Sequence, residues 1–153
     1  MKIRLTSGLL LSAVISMSCS NNSDTGEDPE VTTRGSFEIT GLLVEIRGKL
    51  PSNDLYDYVF VFKYEVLKEH RGTAGSDIIY VGHYNPLKPR AEAPDERVKD
   101  IGGNLDRFRP GDIHRIALEV PVDDYYMGGI INRHFEEYSG PVYWAVWTNR
   151  GAK

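Results

Sequence analysis

The chain has 153 residues, a single cysteine and a formal charge of −4, which gives room for one domain with one core and rules out an intrachain disulfide. The balance is mildly acidic and no basic run reaches five residues, so composition offers no footing for a nucleic-acid partner. No internal repeat is present, and the only biased segment is an acidic stretch near the amino terminus.

Residues 1–18 do not read as part of a fold. Lys2 and Arg4 form a short basic region, residues 9–15 are a brief apolar run, and small residues follow. That is the layout of a secretory signal peptide, and the apolar run is too short to cross a bilayer as a helix. Cys19 comes directly after Ser16, Met17 and Ser18. A lone cysteine in that setting resembles the lipobox of bacterial lipoproteins, although Ser16 stands where that family usually has leucine. The resemblance implies that Cys19 is diacylglycerated and becomes the first mature residue of a cell-envelope protein held on a membrane by its lipid. Two or three acyl chains anchor stably where one does not. Serine rather than aspartate at position 20 leans towards the outer membrane. The plainer alternative is an ordinary signal peptide cleaved near Ser18, leaving a free thiol.

Residues 19–35 read as the acylated cysteine and a disordered acidic tether. Asp24, Glu27, Asp28 and Glu30 charge it, and Val31 is its only aliphatic residue. Such a segment buries too little apolar surface to offset its ordering entropy. The domain proper is then 36–153.

Within it, residues 37–46 are apolar-rich and read as a first strand, with Gly41 marking a bulge or close approach. Residues 56–70 hold the longest β signal in the chain, apolar and aromatic at first and charged later. The charged tail suggests a strand that runs out past the core. Residues 77–82 read as a third strand. Residues 83–90 hold two prolines and read as a rigid irregular loop. A polar linker over 91–106 and a turn centred on Pro110-Gly111 follow. Residues 113–120 alternate as a fourth strand, ended by Pro121. Over 122–138, Tyr126, Ile130, Ile131, His134, Phe135 and Tyr138 recur at helical spacing, with Asp123 or Asp124 as cap. Gly128 and Gly129 weaken that helix by about 1 kcal/mol each. Residues 141–148 read as a fifth strand.

These elements predict a mainly-β fold: a small five-stranded antiparallel OB-like barrel, with one helix between the fourth and fifth strands. A lipocalin-like barrel or a sandwich fits the same list. Gly41 and Val44, then Phe62, Tyr64, Val66, Lys68 and Gly72, and later Phe108 and Gly111, also resemble the netrin/tissue-inhibitor-of-metalloproteinase type of OB domain. That family's cysteines are missing here. Its inhibition through a free amino-terminal cysteine does not transfer, because Cys19 would be acylated behind a tether.

No catalytic motif is present in recognisable form, and no histidine pair has metal-ligand spacing. The sequence therefore assigns no catalytic residue, no metal site and no cofactor. A cluster of polar and aromatic residues suits carbohydrate or peptide contact, because rings stack and polar atoms orient. It comprises His83, Tyr84, Asn85 and Arg90, then Arg107 with Asn104 and Arg109, then Asp123, Asp124 and Tyr125. The expectation is a membrane-anchored binding module for an envelope polysaccharide or protein. The alternatives are a metal-dependent or His/Asp hydrolase built on His83, His114 and Asp112, and a purely structural accessory subunit of an envelope assembly.

Overall fold

The structure is a computed structural model, and it describes residues 28–152. The signal-peptide segment and Cys19 lie outside the described residues. No helix among those described is long and apolar enough to cross a membrane.

Six strands form: Phe37–Glu45 (β1), Val59–Arg71 (β2), Ile78–Tyr84 (β3), Ile113–Glu119 (β4), Ile130–Ile131 (β5) and Tyr143–Arg150 (β6). Five of them close a barrel in the order β1-β2-β3-β6-β4, and β4 pairs back onto β1. The short β5 lies outside the ring, parallel to the start of β2. Every barrel pair is antiparallel except β3 and β6, which run parallel at Val81–Tyr143 and Gly82–Trp144. The expected all-antiparallel barrel is therefore mixed. The reason is parity. Five strands cannot alternate direction around a closed ring, so one neighbouring pair must be parallel.

Alternation along β2 sorts its side chains. Phe60, Phe62 and Tyr64, with Tyr58 just ahead, turn inward and meet Ile39, Leu43, Ile79, Val81, Ile116 and Leu118. All of these are buried, and each large apolar side chain so placed contributes about 1.5–3 kcal/mol. The charged half of β2 does not leave the sheet, as the sequence suggested. Residues 63–71 pair with β1, while 59–65 pair with β3. Glu65, Lys68 and Glu69 face solvent from within that pairing. The β1–β2 ladder shifts register three times, once beside Gly41. A Cβ on Gly41 would come within 3.2 Å of the Tyr64 ring, so the glycine lets β1 cross close over that ring.

A second core lies outside the barrel wall. Val59 and Tyr84, on the outward face of β2 and β3, are covered by Ala93, Val98, Ile101, Val122, Tyr126 and Trp144. The stretch expected as polar linker is thus a lid that buries Ala93, Val98, Ile101 and Leu105. Its Gly102 N–H donates to the Val146 carbonyl, and the Thr148 N–H donates back to Gly102. Gly103, at φ 133°, presses against the Thr148 backbone, where a Cβ would lie 1.9 Å from its oxygen.

Two expectations are corrected. The segment expected as tether is folded from Asp28 onward. Pro29–Thr33 (α1) is a short helix whose N-cap is Asp28 and whose Val31 is buried. The expected helix over 122–138 does not form. Its start is a single 3-10 turn, Val122–Asp124, and its middle is the short strand β5. The glycine pair decides this. The Val59 N–H, at the head of β2, recruits the Gly129 carbonyl at 2.9 Å, which draws the segment out as an added edge strand.

Candidate functional site

Phe108 organises one end of the barrel. Its ring turns inward, 5.0 Å from Phe62, 4.4 Å from His83 and 5.6 Å from His114 between centroids. The Arg90 guanidinium lies 5.1 Å above it. Arg107 and Arg109, on either side of Phe108 in the chain, stay exposed. The loop is pinned by the Gly111 N–H on the Leu43 carbonyl at 2.8 Å and by the Leu43 N–H on the Asp112 carbonyl at 2.9 Å.

Beside Phe108 runs a buried polar chain. The Tyr64 hydroxyl lies 3.2 Å from His83 Nε2 and 3.0 Å from His114 Nδ1, and all three residues are fully buried. Burial holds His83 well below the usual histidine range, with the Arg90 charge adding to the effect. Burial likewise lowers His114 to about 4, against the opposing pull of Asp112. Both imidazoles are therefore neutral near pH 7. Burial also pushes the Tyr64 hydroxyl well above its ordinary value. Among the described residues, His83 Nδ1, His114 Nε2 and Arg90 Nε have no hydrogen-bond partner.

His114 also lines a cleft of about 390 Å³ with Leu105, Asp106, Arg107, Arg109, Asp112, Ile113, Arg150 and Gly151. His114 and Leu105 are its buried floor. Arg150 is ion-paired with Asp106 at the rim. Arg107 and Arg109 have no partner among the described residues.

The residues nominated from the sequence separate. His83, Tyr84, Asn85 and Arg90 are all buried and serve the fold. The Arg90 guanidinium donates to the carbonyls of Tyr84 at 2.8 Å, Asn85 at 2.6 Å and Lys88 at 3.0 Å. Asn85, at φ 43°, accepts from the Tyr58 N–H and the Asn53 amide, and donates to Asp57. The Tyr84 hydroxyl donates to Asp95. The loop at 83–90 is fastened to the barrel by these bonds, and its nominated side chains are buried. Asp123, Asp124 and Tyr125 are exposed elsewhere. Tyr125 lines a separate cleft of about 340 Å³ with Arg97, Lys99 and Trp144. Of the nominated polar and aromatic cluster, Arg107 and Arg109 line the cleft above His114.

For the hydrolase alternative, His83 and His114 do converge, through Tyr64. Asp112 acts on His114 through space, with no hydrogen bond between them, and His83 is sealed behind Phe108. Near the other corner, ligand atoms of Glu45, His134 and Glu137 lie within 4.8 Å of one another. A guanidinium already holds that position. Arg47 donates to Glu45 at 2.9 and 3.0 Å and to Glu137 at 3.2 Å, and Lys63 reaches Glu137 at 3.5 Å. The hydrogen bond from His134 and those from Arg47 lower the Glu137 carboxyl to about 2. This cluster reads as an ion-pair clasp that fastens the segment after β5 to the barrel.

Sequence reasoning missed Tyr64 and Arg150, and it placed His114 only in the hydrolase alternative with His83 and Asp112. The available signal was an aromatic residue set between two arginines, Arg107-Phe108-Arg109, ahead of a strand. Compared with known proteins, the chain matches no family model, no curated protein and no solved structure.

Proposed function

We propose that this chain is a bacterial cell-envelope lipoprotein, anchored through acylated Cys19, whose OB-like barrel binds an envelope polysaccharide or protein at the cleft over His114. The lipobox-like Ser16 to Cys19 supports the anchor. The closed ring of five strands, with β1 shared between β2 and β4, supports the OB reading. In barrels of that type the outer face of the second and third strands is the usual ligand platform. Here Val59 and Tyr84 on that face lie beneath the lid, which shifts the binding role to the barrel end.

One observation carries the reading. Two exposed arginines without partners among the described residues flank a cleft lined by the buried His114, whose Nε2 also lacks a partner. Buried polar groups in folded proteins are nearly always bonded, so an orphan beneath a cleft marks a place for a ligand atom. A second reading, the accessory subunit, rests on exposed Leu55, Tyr56 and Met127. They lie on neighbouring loops joined where the Tyr126 hydroxyl meets the Asp57 carbonyl.

The test has two arms. Cell fractionation of Cys19→Ala should move the protein from membrane to soluble fraction, and continued retention removes the anchor. The purified full chain in nonionic detergent should co-sediment with insoluble envelope polysaccharide, and less so as Arg107→Ala. Equal sedimentation of the two proteins would remove the cleft from the function.

A further inference from the structure

The cleft over His114 has a chemistry that narrows its ligand. Apart from the buried His114 imidazole, its lining contains no aromatic ring, because Phe108 is turned into the barrel. A hexose ring therefore has nothing to stack on there, and recognition must come from charge and hydrogen bonds. The lining holds three arginines against two aspartates. Arg150 is engaged by Asp106, which leaves Arg107 and Arg109 facing the single carboxylate of Asp112. That is a local positive excess in a chain whose formal charge is −4.

We infer that the cleft is an oxyanion site, taking a carboxylate or phosphate group between Arg107 and Arg109 with His114 Nε2 as the floor donor. Guanidinium groups suit this role, since their planar donors match both oxyanions in paired bonds. The source of the anion, an acidic envelope polymer, rests on the function proposed above. The oxyanion chemistry rests on the cleft itself.

Tyr64 explains how a buried neutral imidazole serves as a donor. Its hydroxyl has one proton to share between two ring nitrogens, so the chain has two arrangements. In one, His83 Nε2–H donates to the Tyr64 oxygen, Tyr64 donates to His114 Nδ1, and the His114 proton sits on Nε2. In the other, every bond is reversed and His114 Nε2 is a bare acceptor. An oxyanion at the cleft selects the first arrangement, and the selection extends through Tyr64 to His83. The His114 tautomer is thus a reporter of what occupies the cleft.

The test uses the full chain, isotope-labelled, in nonionic detergent. Three probes are titrated separately: an oligogalacturonate, inorganic phosphate, and an uncharged galacto-oligosaccharide of matched length. Histidine ring nitrogen and carbon resonances are followed by NMR. At least one oxyanion should shift the His114 ring saturably and set it to the Nε2–H form, with His83 following. Response to the oligogalacturonate alone identifies a carboxylate source, and response to phosphate alone a phosphate source. The exposed pair Arg107→Ala/Arg109→Ala should weaken that binding by at least about tenfold, as loss of charge-assisted bonds requires. Raising the salt concentration should weaken it as well. Failure of both oxyanions to move the His114 resonances overturns the inference. So does undiminished binding by the double variant. If the uncharged oligosaccharide binds equally well and the arginine variant is unaffected, the oxyanion site falls while polysaccharide binding stands.

Discussion

Tyr64→Phe removes one oxygen from the middle of the barrel and leaves every ring in place. Two hydrogen bonds go with it, to His83 Nε2 at 3.2 Å and to His114 Nδ1 at 3.0 Å. Water cannot replace the lost hydroxyl cheaply, because the site is fully buried and Phe108 fills the space beside it. Each histidine nitrogen is then stranded, and a stranded buried polar group costs about 1–3 kcal/mol. The two together should lower stability by about 2–6 kcal/mol, a large share of the 5–15 kcal/mol typical of a domain. The assay is equilibrium urea unfolding followed by tryptophan fluorescence, with an unchanged m-value expected because the exposed area is unchanged. Tyr80→Phe is the control. Its hydroxyl reaches only Glu137 at the surface, at 3.3 Å, and its loss should cost less than about 1 kcal/mol. If Tyr64→Phe unfolds within about 0.5 kcal/mol of the parent, the buried chain is not a hydrogen-bonded unit and the reasoning fails.

Acid should find the same residues. The folded His114 titrates near 4 while the unfolded chain titrates at the ordinary 6.5, so the unfolded state takes up a proton first. Its contribution is fully present above 6.5 and is lost as pH falls towards 4, about 3 kcal/mol in all, with His83 adding to the loss in the same direction. Urea midpoints measured between pH 7.5 and 4.5 should fall steadily, and a flat profile would mean the histidines are not held neutral. At the amino-terminal side, Asp28 accepts from Trp147 Nε1 at 2.7 Å and Asn149 Nδ2 at 3.0 Å while capping α1 through the Glu30 N–H. Asp28→Ala should cost about 1–2 kcal/mol, shift tryptophan emission to the red and open residues 28–36 to limited proteolysis. Unchanged cleavage would show that α1 is held by Val31 alone.

How much of the fold was legible varies with the physical signal behind each element. Alternation in β1, β2 and β4 located them within a few residues, because one face of each strand is buried and the other is not. β3 runs on through His83 and Tyr84, where the two nearby prolines suggested a loop. The helix expected after β4 failed for a specific reason. Tyr126, Ile130 and His134 do sit at helical spacing, yet they do not share one face: Tyr126 and the half-buried Ile130 pack on the second core, and His134 packs against Tyr80. Spacing without a shared face is coincidence, and the glycine pair was the better guide. The reverse holds for α1. Its cap, Asp28-Pro29-Glu30, was present in the sequence, but the surrounding polar composition outweighed it. The parallel β3–β6 pair needed no residue at all, since a closed ring of five strands imposes one.

The site was less legible because its parts are joined only by barrel closure. Tyr64, His83 and His114 come from β2, β3 and β4, and β4 reaches the others only through β1 and β6. No spacing rule links such positions. What the finished barrel adds is a reason for their polarity. Phe62, Ile116 and Leu118 show that the interior accepts purely apolar side chains, and exchanging a bonded polar set for apolar groups of the same shape costs little stability. A Tyr–His–His chain is therefore a costly way to fill space, with three partnerless nitrogens around it counting Arg90 Nε. Its distinctive product is direction. It fixes the His114 ring at Nδ1 and leaves Nε2 without a partner, in a residue that lines the cleft edged by Arg107 and Arg109. That arrangement goes beyond what filling the interior requires, and on it rests the proposal that binding belongs at this end of the barrel.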